Sequence, residues 1–222
     1  MFQASAMTPA PKLYLLTNDD EFAVLYAKLE AALATGLVAL LQIRRKKTLQ
    51  AVNGKAKLYE EAQQIVSLAK AHDVAVVMND DVALAKKLGI GVHLGQQDGK
   101  MNDAKIALAP SEIIGRTCHG DVDLVKQAKK NGASYAAMGA VFASNTKPNA
   151  NVISRQQLIE GCQQEIDICV IGGLTAENVT ELAGLPIVYV AVVGDIMDLP
   201  VEQIAARCQQ WQQALSKWQA PA

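Results

Sequence analysis

Aromatic residues, cysteine pairs and runs of like charge are scarce in this 222-residue sequence. Aromatics make up 5% of the chain while half of the residues are hydrophobic, so the core must consist mainly of Ala, Val, Leu and Ile. Such side chains typically fill and surround an α/β barrel. The formal net charge is −1, without the basic patch that neutralises phosphates in nucleic-acid-binding proteins. We therefore expect no nucleic-acid partner.

Three further absences bear on where the protein works. The four cysteines are scattered and form no C-x-x-C pair, which favours a reduced chain over a disulfide framework. No apolar stretch approaches the roughly 20 residues needed to span a bilayer. Residues 1–12 lack the charged and apolar segments of a secretory signal, and residues 1–11 read as a mobile leader. We expect a cytoplasmic protein that binds no membrane.

Short apolar runs alternate with amphipathic segments along the chain. Eight runs read as strands buried on both faces, at residues 13–17, 37–41, 75–78, 91–94, 113–116, 135–138, 168–171 and 187–192. Helical spacing predicts helices at residues 21–35, 55–72, 82–88, 123–130, 155–162, 175–182 and 201–217.

This alternation predicts one domain over residues 1–222 with the fold of a (β/α)8 TIM barrel. A doubly wound open sheet would show the same alternation. Polar residues follow most of the predicted strands, and a closed barrel brings such strand ends together at one mouth. We therefore favour the barrel.

Carboxylates follow the third and fourth predicted strands. Asn79 and Asp80 come after one strand, and Asp98 follows the next one after Gly95. Carboxylate oxygens at adjacent strand ends suit Mg²⁺, which keeps several waters and bridges to substrate phosphates. The simpler alternatives are a helix cap, which we favour for Asp81, and an ordinary turn for Asp98.

An amide and two cations follow the second predicted strand. If residues 42–46 are extended, the period of two places Gln42, Arg44 and Lys46 on one face. Arg can grip phosphate oxygens with two hydrogen bonds, and Lys adds a movable point charge. A solvated basic loop that includes Arg45 remains the alternative.

Two other segments have the composition of phosphate sites. Ser144, Thr146 and Lys147 offer hydroxyl and ammonium donors in a long loop, which could equally be only hydrophilic. Gly172 and Gly173 follow the seventh predicted strand, and Val193 and Gly194 follow the eighth, where barrel phosphate sites commonly use backbone N–H groups. His93 lies inside an apolar strand, where a hydrogen-bonded core histidine is favoured over a metal ligand.

Taken in order, these motifs resemble the thiamine-phosphate synthase family over residues 13–204. The matching segments are residues 42–46 (QIRRK), 79–80 (ND), 92–98 (VHLGQQD), 146–147 (TK) and 171–175 (IGGLT) with Asn178. The segment that ends in Asp98 is the most distinctive.

The resemblance implies a (β/α)8 barrel that joins hydroxymethylpyrimidine diphosphate to a thiazole phosphate and releases pyrophosphate. It implies that Gln42, Arg44, Lys46, Asn79 and Lys147 bind the pyrimidine diphosphate and that Asp80 and Asp98 hold Mg²⁺. It further implies that Ser144, Thr146, Gly173 and the backbone of Val193 and Gly194 bind the thiazole phosphate. A homo-oligomer is also implied.

The chain departs from the family pattern at several positions. Thr117 stands where a serine is usual and keeps the hydroxyl, so we predict that it binds substrate and acts in catalysis with Arg44, Lys46 and Lys147. Arg116 is an additional cation, and Ser154 lies where a glycine is expected. Gly194 and Asp195 stand where the family usually has two small neutral residues. The carboxylate of Asp195 would repel a phosphate unless it turns away.

Two other functions compete with the transferase. One is a thiazole tautomerase on the same barrel, although an isomerase needs no diphosphate clamp. The other is a non-catalytic barrel that binds phosphorylated thiamine precursors.

Overall fold

Eight parallel strands close into a barrel in the computed structural model, which describes residues 9–143 and 151–219. The strands are β1 (Lys12–Leu16), β2 (Val38–Ile43), β3 (Ala75–Asn79), β4 (Gly91–Leu94), β5 (Ile114–His119), β6 (Tyr135–Gly139), β7 (Asp167–Ile171) and β8 (Ile187–Val192). Each strand pairs in parallel with the next, and β8 pairs with β1. The prediction of a (β/α)8 TIM barrel is confirmed.

Helices follow most of the strands. They are α1 (Phe22–Leu33), α2 (Lys46–Gln50), α3 (Gly54–Ala71), α4 (Val82–Leu88), α5 (Met101–Ala107), α6 (Val122–Lys130), α7 (Arg155–Cys162), α8 (Gly194–Met197) and α9 (Val201–Ser216). The short helices α2, α5 and α8 were not predicted. With five and four residues, α2 and α8 are too short to show a helical period.

One helix prediction was wrong. Residues 175–182 contain only a 3₁₀ turn at Val179–Leu182. The N–H of Thr175 donates to Asn178 Oδ1 at 2.9 Å, and the N–H of Asn178 donates to Thr175 Oγ1 at 3.3 Å. Side chains that bond the backbone in this way compete with the first turn of an α-helix.

The apolar side chains form two layers. The larger layer lies between the strands and the helices, and it includes Leu13 and Leu15 of β1. The smaller layer fills the barrel interior, where Tyr14 and Leu16 of β1 meet Tyr135 of β6. Successive residues of a strand point to opposite faces, so the alternation along β1 divides its side chains between the two layers.

Local signals set the ends of α4, which leads away from the mouth of the barrel. Asp81 Oδ1 accepts a hydrogen bond from the N–H of Leu84 at 2.8 Å, which confirms its predicted capping role. Gly89 ends the helix with φ of 64°, a conformation that glycine adopts without strain.

Within the described parts of the chain, no helix is both long and apolar enough to cross a membrane.

Candidate active site at the carboxyl ends of the strands

A cavity of about 790 Å³ opens at the carboxyl ends of the strands. All of the predicted site residues that the structure describes line this cavity: Gln42, Arg44, Lys46, Asn79, Asp80, Asp98, Thr117, Gly173, Val193 and Gly194. Ser144, Thr146 and Lys147 lie outside the described residues. Segments more than 150 residues apart in the chain therefore meet in one cavity.

The acidic side of the cavity is built around Gly95. Its N–H donates to Asp80 Oδ1 at 3.1 Å. A Cβ atom at position 95 would collide with Asp98 Oδ2 and lie 3.7 Å from Asp80 Oδ1. The two carboxylates therefore face the same small space, which the absent side chain of Gly95 leaves open.

The turn after β3 directs Asp80 into the cavity. Asp80 has φ of 63°, and its N–H donates to the carbonyl of His93 at 2.8 Å. Asn79 Nδ2 donates to Asp80 Oδ2 at 2.5 Å, which fixes the carboxylate. Because Asp81 caps α4, the neighbouring Asp80 is left for the site.

Asp80 and Asp98 supply carboxylate oxygens, which are the kind of ligand that Mg²⁺ prefers. No group of three or more His, Cys, Asp or Glu side chains in residues 9–143 and 151–219 is arranged to hold a metal. Mg²⁺, however, is commonly held by one or two carboxylates together with water and substrate phosphate. Both oxygens of Asp80 already accept hydrogen bonds but keep further lone pairs, and Asp98 faces the same space.

Arg116 and Gln96 hold the loop that carries Asp98. The Arg116 guanidinium donates to the carbonyls of Gly99 at 3.0 Å and Gln96 at 3.2 Å. Gln96 Nε2 in turn donates to the carbonyl of Thr117. The additional cation at position 116 thus binds the backbone of this loop and fixes it against β5.

Arg44 and Lys46 lie on the basic side of the cavity. The N–H of Arg44 donates to Thr17 Oγ1 at 2.8 Å, which ties the end of β2 to the end of β1. For neither side chain do the described residues supply an ion-pair partner. Both cations are therefore available to an anion in the cavity.

The structure corrects how this basic segment is arranged. Strand β2 ends at Ile43, so Lys46 does not belong to an extended segment but starts α2. It reaches the same cavity from the helix end. Arg45 is not part of a solvated loop, because it is buried and pairs with Glu61 at 2.9 Å.

Glycines shape the opposite side. Gly172 and Gly173 have φ of 101° and 66°, and a Cβ atom at Gly173 would lie 2.6 Å from the carbonyl oxygen of Phe142. Asn178 Nδ2 donates to the carbonyl of Gly173 at 2.8 Å and holds this turn. Only glycine combines this backbone with such a close approach.

Helix α8 begins directly after β8. Val193 precedes it and Gly194 is its first residue. The first N–H groups of a helix have no partner within the helix, and a short extra helix after the last strand is a recurring phosphate-binding element of barrels.

Asp195 lines the cavity, but its carboxylate is bound by two side chains of α9. Its Oδ2 accepts from Trp211 Nε1 at 2.7 Å and from Arg207 Nε at 2.9 Å, and its Oδ1 accepts from Arg207 Nη2 at 2.5 Å. The carboxylate is thus neutralised by α9, which removes the repulsion that the sequence suggested.

Two functional candidates escaped the sequence analysis, Tyr14 and Tyr135. Their hydroxyls lie 2.8 Å apart, Gln42 Nε2 donates to Tyr14 Oη, and His93 Nδ1 lies 2.8 Å from Tyr135 Oη. His93 Nε2 lies 2.9 Å from Thr117 Oγ1. The polar tip of a tyrosine at an inward position of a strand is the signal that could have revealed them.

Burial controls the protonation of these groups. It lowers the pKa of His93 to about 4, an effect to which the nearby Arg116 adds, so the imidazole is neutral at pH 7. Burial also raises the pKa of Tyr14 and that of Tyr135, so both phenols keep their protons. His93 is a hydrogen-bonded core histidine, as expected.

Acidic, basic and glycine-rich loops at one barrel mouth define an enzyme class, the (β/α)8 barrels that act on small phosphorylated substrates. A family model described as thiamine monophosphate synthase matches residues 13–196. A curated thiamine-phosphate synthase of Saccharophagus degradans is 41% identical over 158 residues, which are 70% of each chain. The chain belongs to the thiamine monophosphate synthase family and is a transferase.

Solved structures agree on the fold. Thiamine phosphate pyrophosphorylase from Pyrococcus furiosus superimposes with a TM-score of 0.80 at 24% identity, over 96% of this chain and 99% of that one. KGPDC from Streptococcus mutans reaches a TM-score of 0.72 at 14% identity, over 95% of this chain and all of that one. The same barrel thus serves proteins with different names, and function has to be argued from the site.

Proposed function

We propose that this transferase couples hydroxymethylpyrimidine diphosphate to a thiazole phosphate, in the presence of Mg²⁺, to give thiamine phosphate and pyrophosphate. The observation that carries the proposal is the meeting of two carboxylates and two cations in one cavity, Asp80 with Asp98 and Arg44 with Lys46. A diphosphate that leaves with its bonding electrons needs this combination. The family membership of the chain supports the same reaction.

In the proposed reaction the bond between the pyrimidine methylene and the diphosphate oxygen breaks first. Its electron pair leaves with pyrophosphate, and the electron-rich aminopyrimidine carries the positive charge that remains. The thiazole nitrogen then donates its lone pair to the methylene carbon. No proton moves and no covalent bond to the protein forms, so the protein has to orient the two substrates and exclude water.

The basic residues stabilise the leaving group. Arg44 offers two parallel N–H groups to phosphate oxygens, and Lys46 places a second charge in the same cavity. We assign Lys147, which lies outside the described residues, to the same group by its motif. Charge stabilisation of this kind is usually the largest single contribution to catalysis.

Asp80 and Asp98 would hold Mg²⁺, with Asn79 fixing the first of them. When bound, the ion would neutralise charge on the diphosphate oxygens. Gln42 would orient the pyrimidine ring, and Thr117 would donate to a substrate from the far side of the cavity.

We assign the thiazole phosphate to the glycine-rich side. The turn at Gly173 and the start of α8 at Val193 and Gly194 bring backbone N–H groups to one region of the cavity. Ser144 and Thr146 would add hydroxyl donors. The four free cysteines are consistent with a cytoplasmic enzyme.

A direct assay tests the proposal. The purified protein is incubated with both phosphorylated substrates, with Mg²⁺ or with a chelator, and thiamine phosphate and pyrophosphate are quantified. We expect equal amounts of both products with Mg²⁺ and almost none with the chelator. Undiminished turnover with the chelator would refute the metal requirement. Isomerisation of the thiazole without pyrimidine, or binding without turnover, would refute the coupling reaction.

A further inference from the structure

Five polar side chains form one continuous hydrogen-bonded row across the barrel interior. The row runs from Gln42 through Tyr14, Tyr135 and His93 to Thr117. Tyr135 is fully buried, and Tyr14 and Gln42 are 1% and 2% exposed. We call these five side chains the interior row. Gln42 and Thr117 at its two ends line the cavity, as do Tyr14 and His93, whereas Tyr135 does not.

Counting protons gives the row a direction. Gln42 Nε2 donates to Tyr14 Oη, and each phenol has a single proton to donate. If Tyr14 donates to Tyr135, then Tyr135 donates to His93 Nδ1, and the neutral ring carries its proton on Nε2 and donates to Thr117 Oγ1. In the opposite assignment the buried proton of Tyr14 has no acceptor in the row. A buried donor without a partner is disfavoured, because it has given up its hydrogen bond to water and gained none in return.

This direction decides what the two ends present to a ligand. Gln42 uses its N–H toward Tyr14, so its carbonyl oxygen Oε1 is left to accept a hydrogen bond in the cavity. Thr117 Oγ1 accepts from His93, so its own proton is left to donate. The amino group of an aminopyrimidine is a donor, which Gln42 Oε1 matches.

We propose that His93 and Tyr135 are positioning residues that set the hydrogen-bonding sense of Gln42 and thereby select an amino group on the pyrimidine. This inference rests on the proposed function, because it assigns the pyrimidine to Gln42. Neither His93 nor Tyr135 needs to touch the substrate at the amino group. They act through Tyr14, which loses its acceptor when the Tyr135 hydroxyl is removed.

Tyr135→Phe tests the proposal with little change in shape. Without the Tyr135 hydroxyl, Tyr14 has no acceptor except Gln42 Oε1, so the amide turns over and presents its NH₂ group to the cavity. We expect KM for the pyrimidine diphosphate to rise roughly tenfold, as for the loss of one buried hydrogen bond. We expect KM for the thiazole phosphate to stay within about twofold. An unchanged pyrimidine KM would overturn the proposal.

Tyr189→Phe is the matched control. The Tyr189 ring packs 5.6 Å from that of Tyr135 and 6.1 Å from that of Tyr14, but its hydroxyl is not part of the row and the residue does not line the cavity. We expect both KM values of this variant to equal those of the wild type. Equal losses in the two variants would overturn the proposal in favour of simple packing.

Two further readouts separate positioning from a general loss of structure. The ratio of kcat/KM for the amino substrate over its oxo analogue should fall in Tyr135→Phe, and an unchanged ratio would overturn the proposal.

The ¹⁵N spectrum of His93 in the wild type should show a protonated Nε2 and an unprotonated Nδ1. The opposite tautomer would contradict the direction of the row. Because this spectrum needs no turnover, it remains decisive even if the wild type fails to make thiamine phosphate, which would refute only the proposed function.

Discussion

Arg207 binds Asp195 through two hydrogen bonds, from Nε to Oδ2 at 2.9 Å and from Nη2 to Oδ1 at 2.5 Å. The same guanidinium donates to both oxygens of Glu177, at 2.6 and 2.7 Å. Glu177 follows β7 and Asp195 follows β8, so one side chain of α9 joins the two loops to which we assign the thiazole phosphate. Paired N–H donors of this kind fix geometry as well as charge.

Arg207→Met should therefore weaken binding of the thiazole phosphate. The largely buried Asp195 would lose its cation and place an unpaired charge beside the start of α8. We expect KM for the thiazole phosphate to rise roughly tenfold, since a hydrogen bond to a charged group contributes about 1.5–3 kcal/mol. KM for the pyrimidine diphosphate should change little.

Steady-state kinetics with each substrate varied in turn measures this difference. Lys126→Met is a suitable control, because it removes the exposed ion pair of Lys126 with Asp123 at 2.8 Å, away from the cavity. Arg207→Lys should restore part of the binding. A parallel rise in both KM values would show that Arg207 acts on the whole fold and not on this side of the site.

The bond to Arg207 should also make stability depend on pH. It lowers the pKa of Glu177 from 4.5 to about 2. A carboxyl with a lowered pKa stabilises the fold above its ordinary pKa and loses that contribution as the pH falls toward the folded value. Glu177→Gln should thus be less stable than the wild type near neutral pH, by a small amount because Glu177 is mostly exposed.

Urea unfolding of both proteins at a series of pH values measures the difference. The gap between the two midpoints should be full above pH 4.5 and should shrink as the pH falls toward 2. A gap that stays constant over this range would mean that the ion pair does not cause it.

The strands were readable from the sequence because parallel strands covered on both faces appear as continuous apolar runs. The predicted runs at residues 91–94 and 187–192 coincide with β4 and β8, and the ends of the other strands differ from the prediction by up to three residues. The meeting of Asp80, Asp98, Arg44 and Lys46 could also be expected, since every strand of a closed parallel barrel ends at the same mouth.

What escaped prediction depends on partners far away in the chain. The row from Gln42 to Thr117 includes a bond between tyrosines 121 residues apart. Arg45 is buried against Glu61 of α3 and the carbonyls of Asn18 and Asp20. Asp195 looked unfavourable beside a phosphate because its partners on α9 could not be known. Local patterns carry no information on such pairings.

Asp98→Asn should remove most of the magnesium response. The substitution keeps the size of the side chain but takes one negative charge from the space that Asp98 shares with Asp80. We expect kcat/KM at saturating Mg²⁺ to fall by on the order of 100-fold, the scale on which a single electrostatic group acts in catalysis. Binding of Mn²⁺, followed by electron paramagnetic resonance, should weaken in the same variant.

Asp103→Asn provides the control for charge alone, since Asp103 lies in the first turn of α5 and does not line the cavity. Retention of Mn²⁺ binding in Asp98→Asn would exclude this carboxylate as a ligand. Equal losses in both variants would point to net charge instead of coordination.

Arg116→Met should weaken the metal site without touching it. Arg116 donates to the carbonyls of Gly99 and Gln96, on both sides of Asp98, and so restrains the loop that presents this carboxylate. Groups that orient metal ligands typically contribute 10–100-fold to metal affinity. We expect the Mg²⁺ concentration for half-maximal activity to rise by about that factor, while kcat at saturating Mg²⁺ stays near the wild-type value. Mn²⁺ binding should weaken in parallel.

Arg155→Met is the matched control, because Arg155 also donates to a backbone carbonyl, that of Glu181 at 2.8 Å, but lies outside the cavity. A fall in kcat that saturating Mg²⁺ does not restore would show that Arg116 acts on the substrates directly.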